Sequence, residues 1–132
     1  MLRNKNIVIF GASGLLGNEL VNKLKNNNKL ILPKIIDKSK IYTSIKGLKK
    51  NDLKKIFNKK IDIIINLHAQ TDLSLSNHYL SYDFYHNCQI IYSYIEHYLN
   101  KKHKPFFLNI GTATQVGYTK IDKPIKNNFK GY

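Results

Sequence analysis

Three glycines with two residues between each pair, in the segment Gly11-Ala12-Ser13-Gly14-Leu15-Leu16-Gly17, are the residues of this chain best suited to hold an anion. Gly11 permits a tight turn, Gly14 lets the backbone approach a diphosphate, and Gly17 lets the following helix pack closely on the sheet. With Ser13 in the turn and Leu15 and Leu16 opening the helix, unpaired N–H groups and the positive end of the helix dipole would face the phosphates. Asp37 stands 20 residues after Gly17, at the end of a second apolar run. A carboxylate there can accept both ribose hydroxyls of an adenosine and repels a 2′-phosphate. NAD is therefore favoured over NADP, a preference tempered by the positive charge of Lys38 and Lys40.

These residues need a scaffold, and the apolar pattern supplies one. Ile7 to Phe10 is an unbroken apolar run of strand length, as a strand buried on both faces reads. Leu16, Leu20 and Leu24, with Val21, then fall on one helical face. Leu30 to Ile36 is a second strand. A short strand is predicted at 41–45 and a helix from Asn51 or Asp52 through Phe57. Ile61 to Leu67 is the fourth strand. The longest helix is expected from about Asn77 to Asn100, with Phe84, Cys88, Ile91, Ile95 and Leu99 as its apolar stripe, and Phe106 to Ile110 is a fifth strand. Strands alternating with helices predict an α/β fold, a Rossmann-type doubly wound parallel sheet of order 3-2-1-4-5, with ligands at the C-terminal ends of strands 1 and 4.

Other chemistries find little support. Cys88 is the only cysteine, which excludes an internal disulfide, and it reads as a small half-buried helix residue. The histidines at 68, 78, 86, 97 and 103 show no short metal-ligating spacing, so no metal is expected. The net charge of +14 suggests a polyanionic partner, yet Arg3 is the only arginine among 22 basic residues, and readers of nucleic acid rely on arginine forks. The abundance of Lys, Asn and Ile matches the codon bias of an AT-rich genome, and no nucleic-acid partner is expected. No apolar run approaches the roughly 18–20 residues of a membrane span, and Met1 to Lys5 is not followed by the long apolar region of a secretory leader. No membrane partner and a cytoplasmic location follow as expectations.

The spacing GxxGxxG begins a family resemblance. Three later segments extend it in order: Asp62-Ile-Ile-Ile-Asn-Leu-His-Ala-Gln70 is similar to the pattern DVVIHLAAQ, Asn87 falls where a long helix carries an asparagine, and Asn109 to Gly117 (NIGTATQVG) is similar to a segment ending in SSxxVYG. Over nearly its whole length the chain resembles the extended short-chain dehydrogenase/reductases, the NAD-dependent sugar epimerase and dehydratase group. The resemblance implies a catalytic Ser/Thr role for Thr112, whose hydroxyl would bond the reacting sugar oxygen. It implies that Leu67, His68 and Ala69 line the dinucleotide and that Asn87 supports that wall by hydrogen bonds. It also implies a homodimer through the long helix, which carries Tyr79, Tyr82, Tyr85, Tyr92, Tyr94 and Tyr98.

Departures from the family pattern are equally specific. Phe10 replaces a Thr or Ser before the first glycine, His68 replaces an alanine, Leu48 stands where an adenine-contacting Asp is common, and Val116 replaces a tyrosine. A sheet-end His68 hydrogen-bonded to a neighbour is the expected consequence. The family moves protons with a Tyr-x-x-x-Lys pair, and none follows Thr112: Asp122 stands four residues after Tyr118, and Tyr132 is the last residue. Tyr132 is the only late tyrosine at a suitable distance. Residues 1–132 are thus expected to be an NAD(P)-binding Rossmann domain that stops before its last strands, without a substrate domain. The expected function is NAD-dependent epimerisation or dehydration of a nucleotide-sugar. A keto-sugar nucleotide reductase and a non-catalytic dinucleotide-binding sensor or scaffold are the alternatives.

Overall fold

The structure, a computed structural model, describes residues 2–33 and 50–111. The elements are β1 (Asn6–Phe10), α1 (Leu15–Leu24), β2 (Lys29–Ile31), α2 (Lys50–Phe57), β3 (Ile63–Asn66), α3 (Leu73–His78), α4 (Leu80–Phe84), a π-helical turn (Tyr85–Gln89), α5 (Ile90–Leu99) and β4 (Phe106–Asn109). The four strands are parallel in the order β2-β1-β3-β4. This is the predicted Rossmann-type arrangement, with the described strands in the places expected of strands 2, 1, 4 and 5. The strand predicted at 41–45 lies outside the described residues, and β2 ends at Ile31, before Pro33, which has no N–H to give to a ladder.

Strand alternation divides the core between the two faces of the sheet. Ile7, Ile9 and Ile65 pack against Leu20, Val21 and Leu24 of α1. Val8, Phe10 and Ile64 pack on the other face against Leu53 and Phe57 of α2 and Ile90 and Tyr94 of α5. Phe10 stacks on Tyr94 with ring centroids 3.7 Å apart, so the aromatic that departs from the family pattern fills the core directly behind the glycine turn. Leu16, expected on the buried stripe of α1, is instead 65% exposed. Gly17 takes the inward position, because only a residue without a side chain fits where the helix meets the turn.

The long helix also differs from expectation. Asn77 and His78 belong to α3, the chain breaks at Tyr79 (φ −133°, ψ 68°), and the continuous helical stretch begins at Leu80. Asp72 drives that separate start by accepting hydrogen bonds from Ser74 N and Leu75 N, as an N-cap does. The inward face carries His86, Ile90 and Tyr94, while Phe84, Cys88, Ile95 and Leu99 of the predicted stripe are exposed. Apolar and aromatic residues lie on more than one side of the stretch, so periodicity alone does not select a face. The stacking of Tyr94 on Phe10 and the polar contacts of His86 and Asn87 select it instead.

Candidate functional site

A crevice of about 320 Å³ opens at the C-terminal ends of β1 and β3, lined by Gly11 and Ser13 on one side, His68, Ala69, Gln70, Thr71 and Asp72 on the other, and Pro33, Tyr82 and His86 at its ends. It lies where the chain leaves β1 for α1 on one face and leaves β3 for the helices of the opposite face. Parallel α/β sheets bind ligands at such a divergence.

The glycine turn forms the near wall. Gly11 has φ +78°, and a Cβ there would lie 2.7 Å from Leu67 C and 2.8 Å from His68 N, so the two loops touch through a gap that only glycine leaves. Gly14 N–H donates to Gly11 O at 3.1 Å and closes the turn. Gly17 presses α1 onto the same turn: its Cβ would stand 2.2 Å from Gly11 O. At Gly14 the nearest atom to an added Cβ is Gly11 O at 3.4 Å, an ordinary van der Waals contact, so this position is not sterically closed. No side chain caps the N-terminus of α1. Turn and helix end thus offer free backbone N–H groups on an open surface, an arrangement that fits a diphosphate. Leu15 and Leu16, both mostly exposed, flank it without lining the crevice.

The far wall is held by a polar lattice. Asn87, in the π-helical turn, accepts from Gln70 N at 2.7 Å and donates to Gln70 O at 3.0 Å, and it also donates to Asp83 Oδ1 at 3.0 Å. Ser76 Oγ donates to the same Asp83 oxygen at 2.6 Å and receives Gln70 Nε2 at 3.1 Å. Both backbone polar groups of Gln70 are therefore bonded to one side chain, and the π-helical turn delivers that side chain. Beneath the wall, Asn66 is buried, donates to Asn109 Oδ1 at 2.7 Å and accepts from His68 N at 3.2 Å, which joins the ends of β3 and β4.

His68 Nε2 and His86 Nδ1 share a hydrogen bond of 3.1 Å. His86 is buried against Tyr82 and Tyr85, with ring centroids at 4.4 and 5.3 Å. Burial first, and the neighbouring His86 second, push His68 down to a pKa of about 4, so it is a neutral imidazole at physiological pH. Tyr94 is held above the usual phenol range by burial and then by Tyr85. Its hydroxyl has no hydrogen-bond partner among the described residues, and it serves as a ring in the core rather than as a proton donor.

The residues singled out from sequence thus divide. Gly11, Ser13, His68 and Ala69 line the crevice. Gly14 and Gly17 shape the turn, and Asn87 holds the wall from behind. Leu67 lies under Gly11 with its side chain in the core on the α1 side. Asp37, Lys38, Thr112 and Tyr132 lie outside the described residues. Sequence reasoning missed Pro33, Gln70, Thr71, Asp72, Tyr82 and His86, although Gln70 closes the quoted fourth-strand segment and His86 adjoins Asn87. Asp62, which opens that segment, stands at the opposite end of the sheet. It accepts from Asn6 N at 2.7 Å, a bond that holds its carboxyl below the usual range. Among the described residues no three His, Cys, Asp or Glu side chains are grouped to hold a metal ion, and no helix is long and apolar enough to cross a membrane.

The sequence profile of the NAD dependent epimerase/dehydratase family matches residues 7–130. Among curated proteins, none matches the chain. Solved structures share the fold. A UDP-N-acetylglucosamine 4-epimerase from Methanobrevibacter ruminantium M1, in complex with UDP-N-acetylmuramic acid, is 19% identical with a TM-score of 0.77 over 99% of this chain and 45% of its own. RMD from Pseudomonas aeruginosa, complexed with NADPH, is 16% identical with a TM-score of 0.71 over 98% of this chain and 43% of its own. A hypothetical dTDP-4-dehydrorhamnose reductase from Sulfolobus tokodaii is 24% identical with a TM-score of 0.64 over 98% of this chain and 48% of its own. The chain spans less than half the length of each.

Proposed function

The chain belongs to the NAD dependent epimerase/dehydratase family, and from that premise we propose that it is the dinucleotide-binding part of an enzyme that epimerises or dehydrates a nucleotide-sugar. The observation that carries the reading is the glycine turn. Gly11 is locked against Leu67 and His68, Gly17 is locked against Gly11, and the uncapped end of α1 faces the crevice between β1 and β3. A dinucleotide held there would supply a reversible hydride acceptor for the sugar. The chain's own groups bind and orient: the turn N–H groups hold the diphosphate, Ala69 and the Leu67–His68 backbone border the dinucleotide, and Asn87 keeps Gln70 in place. On this reading Asp37 bonds the adenosine ribose and selects NAD over NADP, with Lys38 beside it. Thr112 orients the sugar hydroxyl, and Tyr132 is the candidate for the phenol that moves the proton.

The likeness to the hypothetical dTDP-4-dehydrorhamnose reductase from Sulfolobus tokodaii supports a second reading, one-way reduction of a keto-sugar nucleotide with the same groups. The two differ in product. Incubation of the complete gene product with NAD and a panel of UDP- and dTDP-sugars should yield epimers or dehydrated sugars with no net change in NADH absorbance. Stoichiometric NADH or NADPH consumption on keto-sugars would favour the reductase, and failure to bind any dinucleotide would overturn both. The exposed line of Phe84, Tyr92, Ile95 and Leu99 along the α4–α5 stretch supports a homodimer as the working state.

A further inference from the structure

Charge in this molecule is sorted along the strand axis. The chain enters β1 through Arg3 and Lys5, β2 through Lys25 and Lys29, β3 through Lys59 and Lys60, and β4 through Lys101, Lys102 and Lys104. The loops that leave the same strands, at the crevice end, carry no lysine or arginine among the described residues. The strands also begin level: Asn6 pairs with Lys29, Ile7 with Ile63 and Ile63 with Phe106, so the four entry loops end on one face. Four parallel strands make that face about 15 Å across before the loops widen it. A total charge can reflect codon usage, but codon usage does not choose one end of a sheet.

Two of these cations have internal work. Lys101 Nζ donates to Phe57 O and Lys59 O at the end of α2, and Lys104 Nζ donates to Leu99 O and Tyr98 O at the end of α5, where the helix dipoles are negative. Lys101 thereby ties the entry loop of β4 to that of β3. Asn28 accepts from Lys5 N and donates to Leu2 O, which ties the entry loops of β1 and β2 in the same way. The one carboxylate in the four loops, Asp62, accepts from Asn6 N and Asn6 Nδ2. No lysine of these loops forms an ion pair with a carboxylate among the described residues. Lys5, Lys60, His103 and Lys104 surround a hollow of about 550 Å³ that Ile61, Ile63 and Pro105 also line. Like charges so placed repel one another, and an anionic partner relieves that repulsion.

We infer that the strand-entry face is a peripheral docking surface for an anionic lipid bilayer. Residue type and shape decide among polyanions. Lysine presents a compact charge on a flexible stem and lacks the planar fork that reads a fixed phosphate geometry. Eight lysines and one arginine on a level face match a flat, fluid array of acidic headgroups better than a rigid helical one. A single strand of nucleic acid needs exposed rings on which its bases stack, and the four entry loops contain no Phe, Tyr or Trp. Leu2, 44% exposed beside Arg3, adds an apolar side chain that can enter the headgroup boundary. The contact stays at headgroup level and needs no spanning helix. With this face on the bilayer, the crevice at the opposite strand ends stays open to solvent, so the inference is independent of what the crevice binds.

The test is co-sedimentation of the chain with vesicles of phosphatidylcholine alone, and of phosphatidylcholine and phosphatidylserine in about a two-to-one ratio, at low and at physiological salt. Wild type should pellet with the acidic vesicles only, and its binding should weaken as salt rises. A lysine near an acidic surface contributes about fivefold to affinity, so Lys60→Gln with Lys102→Gln should weaken binding about twentyfold. Ser81→Glu with Gln89→Glu lowers the net charge equally at exposed positions of the α4–α5 stretch, and should weaken it less than about threefold. Lys60→Arg with Lys102→Arg keeps the charge and should bind like wild type, and all variants are first matched to wild type in circular dichroism and unfolding midpoint. Failure to pellet with acidic vesicles, equal pelleting with neutral ones, or equal losses in the two charge-matched pairs would overturn the inference. Tighter binding to single-stranded DNA than to acidic vesicles at equal phosphate would overturn it in favour of nucleic acid. Full release by equimolar inorganic phosphate would overturn it in favour of a lone anion in the hollow.

Discussion

Gly17→Ala should unfold this protein more easily, although alanine is the better helix former. The added Cβ would stand 2.2 Å from Gly11 O, 2.7 Å from Ala12 Cα and 2.8 Å from Ala12 C. All three are backbone atoms, so no rotamer change can relieve the clash. To reach even the 3.0 Å that such contacts respect, α1 must withdraw by about 0.8 Å, which loosens Leu20, Val21 and Leu24 against Ile7, Ile9 and Ile65. Overpacking of this kind costs roughly 1–3 kcal/mol, and the rigidity of the contact places it in the upper part of that range. The intrinsic preference of a helix for alanine over glycine returns about 1 kcal/mol. The net loss is then about 2 kcal/mol, a large share of the roughly 5–15 kcal/mol that keeps a domain folded. Gly14→Ala is the matched control: φ is −74°, and the nearest atom to the new Cβ is 3.4 Å away. Its stability should stay within about 1 kcal/mol of wild type, while NAD affinity falls tenfold or more because the methyl group occupies the diphosphate surface. Urea unfolding followed by circular dichroism gives the first quantity and calorimetry the second. Equal urea midpoints for Gly17→Ala and wild type would refute the close approach of α1 to the turn, and unimpaired NAD binding by Gly14→Ala would refute the use made of it.

Asp37→Ala should narrow the gap between NAD and NADP affinity measured by titration with both; tighter NADP binding by the wild type would remove Asp37 from the ribose. Asp62→Ala should lower stability at pH 7 by about 1 kcal/mol through the lost bond to Asn6 N. Because the folded-state pKa of Asp62 is depressed, its contribution is complete above the ordinary carboxyl value of 3.8 and disappears as pH falls through the lowered one, so wild-type and variant urea midpoints should converge at the acid end. In the complete gene product, Thr112→Val should reduce turnover with NAD affinity nearly unchanged, since a substrate contact is lost and a cofactor contact is not; parallel loss of both would misplace Thr112. Light scattering of that product should give the mass of two copies, and replacement of Phe84 and Leu99 by Lys should reduce it to one.

What the sequence made legible follows from how local each signal is. The glycine turn and β1 lie within a dozen residues, and Gly11 and Gly17 are each demanded by a backbone contact that no other residue could make, so type and spacing alone pointed to the geometry. The order of the described strands followed from handedness once alternation was recognised. The face of the long helix was not legible in the same way. From Leu80 to Leu99 tyrosines and isoleucines occur on more than one side, and the decision falls to partners distant in sequence: Phe10 under Tyr94, and Gln70 under Asn87. The π-helical turn adds a residue to one turn of the helix, which shifts the register of every position after it relative to those before. The predicted stripe is off the buried face from its first member: Phe84, before the turn, is exposed like Ile95 and Leu99 after it, while His86, Ile90 and Tyr94 go inward. The same turn brings Asn87 to both backbone groups of Gln70 and His86 to His68. The irregular turn thus holds the far wall of the crevice through side chains that a periodic count does not single out. Sequence patterns locate regular elements through repetition, and a wall built by breaking the repetition becomes visible only when the residues on both sides of it are in place.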